Sequence, residues 1–197
     1  MPGVRVLLLC GGRASRFGSD KLLAPVKVRG GSLPMAAAAA RAAIEGAGDV
    51  LAVIPPGAKT LRDALEKVGC GIVESAATAD GMGASLAAGV EASRDADGWI
   101  VALGDMPFIE PSTFASILSS LRSGALIAAP CHGGANTRGH PVGFSAMLRE
   151  ELAALAGDEG ARSVLHRHRG ELVLVPVDDR GIAIDVDVPG DLDVTSA

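Results

Sequence analysis

The segment LLLCGGRASRFGSDKLL, residues 7–23, places Arg13, Arg16 and Lys21 among glycines directly behind an apolar run. Glycines let backbone amides approach an anion closely, and the three basic side chains supply positive charge, so this is the composition of a phosphate cradle. It is neither of the two common phosphate loops: there is no GK[ST] ending for a Walker A site and no GxGxxG opening a helix. On its own the composition also suits a solvated surface turn. A second segment, ALGDMPFI at 102–109, ends an apolar run in Gly104 and then Asp105. Magnesium takes one or two carboxylates and leaves its other positions to water and substrate phosphates, so a strand-end aspartate suits it, as it also suits a turn that caps its own backbone. Together, an anion cradle and a lone carboxylate at neighbouring strand ends are complementary parts of a metal-assisted phosphoryl or nucleotidyl transfer site.

For those two loops to meet, the chain must be a sheet with its strand ends gathered on one side. Short β-branched and leucine-rich runs alternate with alanine-rich stretches of helical period from end to end, the pattern of a parallel sheet flanked by helices. Strands are expected at 4–10, 50–54, 71–74, 99–103, 126–129 and 172–175, and helices at 33–47, 58–68, 83–94, 111–121 and 146–156. Residues 130–143, PCHGGANTRGHPVG, read as one long unstructured loop. Ligands of such sheets lie outside the carboxyl ends of the strands, so the loops after the first, fourth and fifth strands belong together. The expected architecture is a single α/β domain over 1–197, a Rossmann-like three-layer α/β/α with a mostly parallel sheet.

Composition narrows the partners. At 48% hydrophobic and 21% charged residues the chain reads as an ordinary globule. Its apolar runs are too short to span a bilayer, and the run at 4–10 lacks the cleavage site of a signal peptide, so no membrane association is expected. Cys10, Cys70 and Cys131 stand about sixty residues apart without a CxxC, which suggests neither a disulfide framework nor a zinc site and fits a reducing cytoplasm. A net charge of −5, no tyrosine and 3% aromatics argue against a nucleic-acid surface. His166 and His168 in HRH, two residues apart, do not share a helix face and read as surface histidines.

The segment GGRASRFGSDKLLAP resembles the signature loop of the MobA/MocA-like nucleotidyltransferases: Gly12, Arg16, Gly18, Lys21 and Leu23 match the family pattern, while Ala14 replaces its usual serine and Phe17 its usual methionine. The likeness continues in order through DGMGASLAAGV (80–90), GDMP (104–107), RGHPVGF (138–144), GDEGAR (157–162) and DVDVPGDL (185–192). It implies a fold of the nucleotide-diphospho-sugar transferase type, a nucleoside triphosphate with Mg²⁺, and transfer of a nucleoside monophosphate with release of pyrophosphate. The N-terminal half would bind the triphosphate and the C-terminal half the acceptor.

Carried over by position, the resemblance implies that Leu9, Cys10, Gly11, Gly12, Arg13 and Gly18 surround the nucleotide, with Arg16 and Lys21 facing the triphosphate as catalytic cations and Asp105 holding Mg²⁺. Gly81, Gly83 and Ser85 would contact base and ribose, though GMGAS also suits a glycine turn that caps a helix. His140 and Pro141 would line the acceptor pocket, and Asp185 or Asp187 would complete the metal site. Asp158 and Arg162 in GDEGAR suit a helix start. An attacking phosphate monoester needs no general base, which agrees with the lack of a catalytic histidine motif.

The opening LCGG is nearer the guanylyl-transferring form of the loop, whereas DGMGASLAAGV, RGHPVGF and GDEGAR look like the cytidylyl-transferring branch that modifies molybdopterin-type cofactors. The latter three favour CTP, with GTP and another phosphorylated acceptor as alternatives, and a molybdoenzyme or its maturation chaperone as a protein partner. From other classes, a non-catalytic nucleotide-binding chaperone would bind nucleotide without releasing pyrophosphate, and retention of Arg16, Lys21 and Asp105 speaks against it. A dinucleotide-dependent oxidoreductase is disfavoured by the missing GxGxxG and the missing acidic ribose contact at the end of the second strand.

Overall fold

The computed structural model describes residues 3–11, 21–28, 31–133 and 137–186, so the expected site residues Gly12, Arg13, Arg16, Gly18 and Asp187 lie outside the described residues. The first strand, β1 (Val4–Leu9), is central to the sheet. Its side chains alternate between two cores, Val6 and Leu8 on one face and Leu7 and Leu9 on the other. That two-sided burial is why the run is apolar throughout instead of alternating.

On one side of β1 lie β4 (Val50–Ile54) and β5 (Gly71–Glu74), all parallel. On the other side β6 (Gly98–Leu103) runs parallel to β1 over its whole length. The chain thus reverses its direction of sheet growth at β1 and β6, which opens a crevice at their carboxyl ends. Helices α1 (Met35–Ala47), α2 (Lys59–Glu66) and α4 (Pro111–Arg122) cover one face; α3 (Met82–Glu91), α5 (Arg149–Ala153) and α6 (Arg162–Arg167) cover the other. The expected three layers and mostly parallel sheet are present. Gly46 lets α1 and α4 touch, since a Cβ there would sit 2.1 Å from the Pro111 carbonyl oxygen.

The C-terminal half departs from expectation. The stretch 130–143 is not one long loop: β7 (Ile127–His132) extends into it, β8 (Thr137–Arg138) folds back on β7, and β9 (Val142–Ser145) enters the sheet antiparallel between β6 and β7. The last strand, β10 (Leu172–Pro176), pairs parallel with β7. Gly143 hides β9 in the sequence, because an apolar residue would be expected mid-strand. A Cβ there would lie 2.7 Å from Ile117 and 2.9 Å from Leu121 on α4, so only glycine passes beneath that helix.

The expected helix at 146–156 is a turn of 3₁₀ helix (Ala146–Leu148) followed by the single-turn α5. A two-stranded hairpin, β2 (Pro25–Val28) with β3 (Gly31–Pro34), is a further departure from the expected elements. Prolines at both outer ends mask it. Its Val26 packs with Met35, Ala38 and Val186 in a small third core.

Candidate active site

The ends of β1 and β6 are fastened together where the sequence places its chemistry. The Gly104 amide donates to the Leu9 carbonyl at 3.0 Å, and a Cβ on Gly104 would lie 2.8 Å from Cys10 Sγ. Glycine therefore lets β6 turn sharply at its end and present Asp105 beside Gly11. Lys21 opens a 3₁₀ turn (Lys21–Leu23) whose Leu22 and Leu23 pack against the core beside α1. With its stem so anchored, Lys21 Nζ lies 2.9 Å from Asp105 Oδ2. The two side chains are 11% and 28% exposed, so the contact is shielded yet open to a ligand. Residues separated by 84 positions, read from the sequence as a cradle cation and a metal carboxylate, thus form one ion pair.

The pair lies on the wall of the larger of two adjoining clefts. The larger, about 790 Å³, is lined by Gly11, Lys21, Ser85 and Asp105, and its far wall is the turn from β4 into α2 with Pro55 and Lys59. Its volume lies within the range of small-ligand pockets, roughly 300–1,000 Å³. The second, about 550 Å³, is lined by Arg138, His140, Arg162 and Asp185. Leu9, Met82 and Leu103 belong to both and form the partition. Pro55 and Lys59 carry no motif that singles them out in the sequence, although the rule of strand carboxyl ends, applied to β4, indicates that turn.

The other expected residues fall around these clefts in different ways. Gly11 abuts α3: a Cβ there would be 2.8 Å from Thr78 and 3.1 Å from Ser85 Oγ. Ser85 is buried, and its hydroxyl donates to the Gly81 carbonyl at 2.8 Å, so its polar group is used inside α3. Cys10 lies in the core, where burial raises its thiol pKa, leaving its main chain at the cleft. Gly81, at φ 119°, precedes α3 and backs onto Asp158, whose Oδ1 would be 2.2 Å from a Cβ. The Gly83 amide donates to the Gly157 carbonyl at 2.7 Å. Asp158 therefore packs on the glycine turn of α3, while α6 begins at Arg162.

His140 faces the second cleft with its ring Nδ1 3.5 Å from the Val101 carbonyl, and its backbone amide donates to the Ile182 carbonyl at 2.9 Å. A carbonyl can only accept, so this contact is a hydrogen bond in the tautomer that carries its proton on Nδ1, which leaves Nε2 as an acceptor. Pro141 is buried behind it, after a cis peptide bond. Burial lowers the His140 pKa from 6.5, outweighing the opposing pull of Val101 and of the Asp105 and Asp185 carboxylates. Asp185 is exposed and lines the second cleft, and the next residue, Val186, donates its amide to the Asp105 carbonyl at 3.0 Å. The two carboxyl-bearing segments are thus joined through their backbones.

Of the two histidines expected at the surface, His168 is partly covered and paired with carboxylates. Its ring, 18% exposed, places Nδ1 3.0 Å from Glu171 and Nε2 3.0 Å from Glu151, and hydrogen bonding to Glu171 and then Glu151 raises its pKa from 6.5. His166 is exposed. The two shifted histidines act oppositely on stability. His140, depressed in the fold, contributes stability above the unfolded pKa that is lost as pH falls below it; His168, raised, contributes stability below the unfolded pKa that is lost as pH rises through its folded value. Thermal melts of His140→Asn between about pH 5 and 7 should therefore show a shallower acid-side loss than the wild type. An unchanged slope would contradict the buried, neutral state of this ring.

Among the described residues no group of three or more His, Cys, Asp and Glu could hold a metal by themselves, and no helix is long and apolar enough to cross a membrane. Asp105 and Asp185 are hard oxygen donors, and magnesium is commonly held by one or two carboxylates plus substrate phosphates, so the donor set fits such an ion arriving with a nucleotide.

Comparison with known proteins agrees with this fold. Over 193 residues the chain is 30% identical to nicotine blue oxidoreductase of Paenarthrobacter nicotinovorans, covering 95% of this chain and 93% of that one. The crystal structure of Rv0371c from Mycobacterium tuberculosis superposes with a TM-score of 0.76 at 26% identity, covering 95% of each chain. A structure of Rv0371c in complex with manganese superposes with a TM-score of 0.73 at 24% identity, covering 96% of this chain and 95% of that one. The model of the MobA-like NTP transferase domain matches residues 6–172. With that match spanning the sheet from β1 to the start of β10, and both clefts built largely from it, the chain belongs to the MobA-like NTP transferase family and is an enzyme of the nucleotidyltransferase type.

Proposed function

We propose that the protein transfers a nucleoside monophosphate, CMP in preference to GMP, from a nucleoside triphosphate to a phosphorylated acceptor of the molybdopterin type, with pyrophosphate released. The observation that carries this reading is the Lys21–Asp105 pair, 2.9 Å apart on the wall of the larger cleft, which shares Leu9, Met82 and Leu103 with the second. The larger cleft takes the triphosphate, with Gly11 bringing backbone close and Lys21 beside the reacting α-phosphorus. The second cleft takes the acceptor, whose phosphate end is met by Arg138 and Arg162. An acceptor phosphate oxygen forms a bond to the α-phosphorus as the bond from that phosphorus to the bridging oxygen breaks, and pyrophosphate carries away the electron pair. Charge accumulates on the phosphoryl oxygens in this step, and a fixed cation offsets it without reorganisation. Asp105, with Asp185 or Asp187, would hold Mg²⁺, which supplies Lewis-acid neutralisation of the phosphates. The manganese complex of Rv0371c supports a divalent ion at this fold.

Specificity for the acceptor rests on the second cleft. His140 offers a neutral Nε2 acceptor there, suited to an N–H of a heterocycle. The segments 80–90, 138–144 and 157–162, which carry the likeness to the cytidylyl-transferring branch, all border this cleft or its partition.

The test is pyrophosphate release from each of the four nucleoside triphosphates, with and without a molybdopterin-type acceptor. Release with CTP that depends on acceptor and divalent ion is expected, and Asp105→Asn should lower it by about 100-fold, as loss of one preorganised charged group does. Release with GTP alone would reassign the base, and a wild-type rate in Asp105→Asn would remove Asp105 from the mechanism. The 30% identity to an oxidoreductase favours a second reading, a redox reaction on the same sheet. Oxidation of NADH or NADPH without pyrophosphate release from any triphosphate would select it. Nucleotide binding without either reaction would select the chaperone.

A further inference from the structure

Asp179 sits outside both clefts, 4% exposed, on the segment that leaves β10. Both oxygens of its carboxylate are used. Oδ2 accepts from the Thr113 hydroxyl at 2.6 Å and from the Glu110 amide at 2.9 Å, and Oδ1 accepts from the Gly181 amide at 2.8 Å. A buried carboxylate is tolerated only when so satisfied, and here two of its donors come from the first turn of α4 and the residue before it, where the helix dipole favours negative charge.

From Asp179 the chain continues as a strap that touches both halves of the site. Gly181 presses on the loop after Asp105: a Cβ there would be 2.2 Å from the Phe108 carbonyl oxygen. The Ile182 carbonyl then accepts from the His140 amide at 2.9 Å, so the strap holds the turn that presents His140. The Val186 amide donates to the Asp105 carbonyl at 3.0 Å, and the Val186 side chain is buried beside Met35. Ile182, Ala183 and Asp185 of the strap form one wall of the second cleft. A single peg at residue 179 therefore sets where that wall stands relative to both Asp105 and His140.

We propose that Asp179, through Thr113 and the Glu110 amide, is a positioning residue that fixes the 179–186 strap and so aligns the acceptor cleft with the Asp105 end of the nucleotide cleft. The proposal rests on the assignment of the second cleft to the acceptor. It predicts a selective defect: nucleotide binding survives, while acceptor use suffers, because misplacement of a bound reactant by even an ångström slows a two-substrate reaction strongly.

The experiment compares wild type, Asp179→Asn and Thr113→Val. The valine variant removes one of the three hydrogen bonds with little change of shape, and so serves if the asparagine variant folds poorly. In both, KM for the acceptor is expected to rise about tenfold, while CTP affinity by equilibrium binding stays within about twofold. Amide hydrogen exchange, followed residue by residue, should quicken at His140 and Val186 and keep wild-type rates in β1 and β6. Equal loss of affinity for both substrates, uniformly faster exchange across the sheet, or unchanged exchange at His140 and Val186 would each overturn the proposal. If the wild type releases no pyrophosphate at all, the functional reading fails by itself, and the exchange pattern still decides whether Asp179 fixes the strap.

Discussion

Replacing Lys21 with alanine should lower the rate of pyrophosphate release by about 1,000-fold, at the upper end of what loss of a single preorganised group costs. Three observations set the size of the effect. The ammonium stands on a turn whose leucines pack against the core, so it is already beside the proposed reacting centre. It is shielded, at 11% exposure, so solvent screens it weakly. Its removal also strips Asp105 of a partner 2.9 Å away, and the freed carboxylate adds negative charge just where the transition state gathers it. Because this interaction strengthens as charge develops, the loss should fall on kcat with a smaller change in KM for the nucleotide. Lys21→Arg should recover only part of the rate, since a planar fork does not replace a compact ammonium in a site shaped for one. Single-turnover measurement of pyrophosphate release checks both variants. A Lys21→Ala rate within a few-fold of the wild type would remove the lysine from the chemical step.

Gly139→Ala is expected to be the most damaging single methyl group near the site, destabilising the protein by about 3 kcal/mol. Its Cβ would lie 1.8 Å from the Ile182 carbonyl oxygen and 2.9 Å from the Ile182 Cβ, and backbone cannot yield as a flexible side chain does. The turn is fixed from both directions: the Gly139 amide donates to the Pro130 carbonyl at 3.3 Å and the neighbouring His140 amide to Ile182. Relieving the clash means displacing the strap, which breaks the His140 bond as well. For a chain of 197 residues this corresponds to a fall in melting temperature of roughly 6–12 °C. Gly133→Ala is a useful contrast. That glycine has open space around its Cβ position and is penalised only through its φ of 65°. Thermal unfolding of the two variants should rank Gly139→Ala well below Gly133→Ala, and equal midpoints would contradict the close approach.

The parallel strands of the N-terminal half, unlike the β2–β3 hairpin, are legible in the sequence because they are short apolar runs bounded by turn residues, with β1 and β4 buried in the core. The expected 50–54 and 71–74 coincide with β4 and β5, and β1 differs by one residue. Lys21 and Asp105 can be chosen from residue type and strand-end position, although their direct pairing cannot. Legibility fails where long-range packing overrides local pattern. The glycine that lets β9 pass under α4 erases the apolar signal a strand would show, and Pro141 just before it reads as loop. Asp179 escapes the sequence for a different reason: its partners Thr113 and Glu110 lie 66 and 69 positions away, and nothing near DDRG announces them. The likeness to a family points to the turn at 138–144 as a site element, while only the folded chain shows that the strap holds it in place.

The late entry of β9 also orders the assembly of the molecule. Strands β1, β4, β5 and β6 are complete by residue 103 and pair with one another in parallel. The next strand made, β7, is flanked in the sheet by β9 and β10, both of which come after it in the chain. β8 pairs only with Cys131 and His132, so during synthesis Ile127 and Ala128 of β7 stay unpaired until residues 142–145 emerge and bridge them to β6. The nascent chain can therefore assemble the central parallel strands β1, β4, β5 and β6 before β7 is made, and it closes the far edge of the sheet last, when β9 and β10 flank β7.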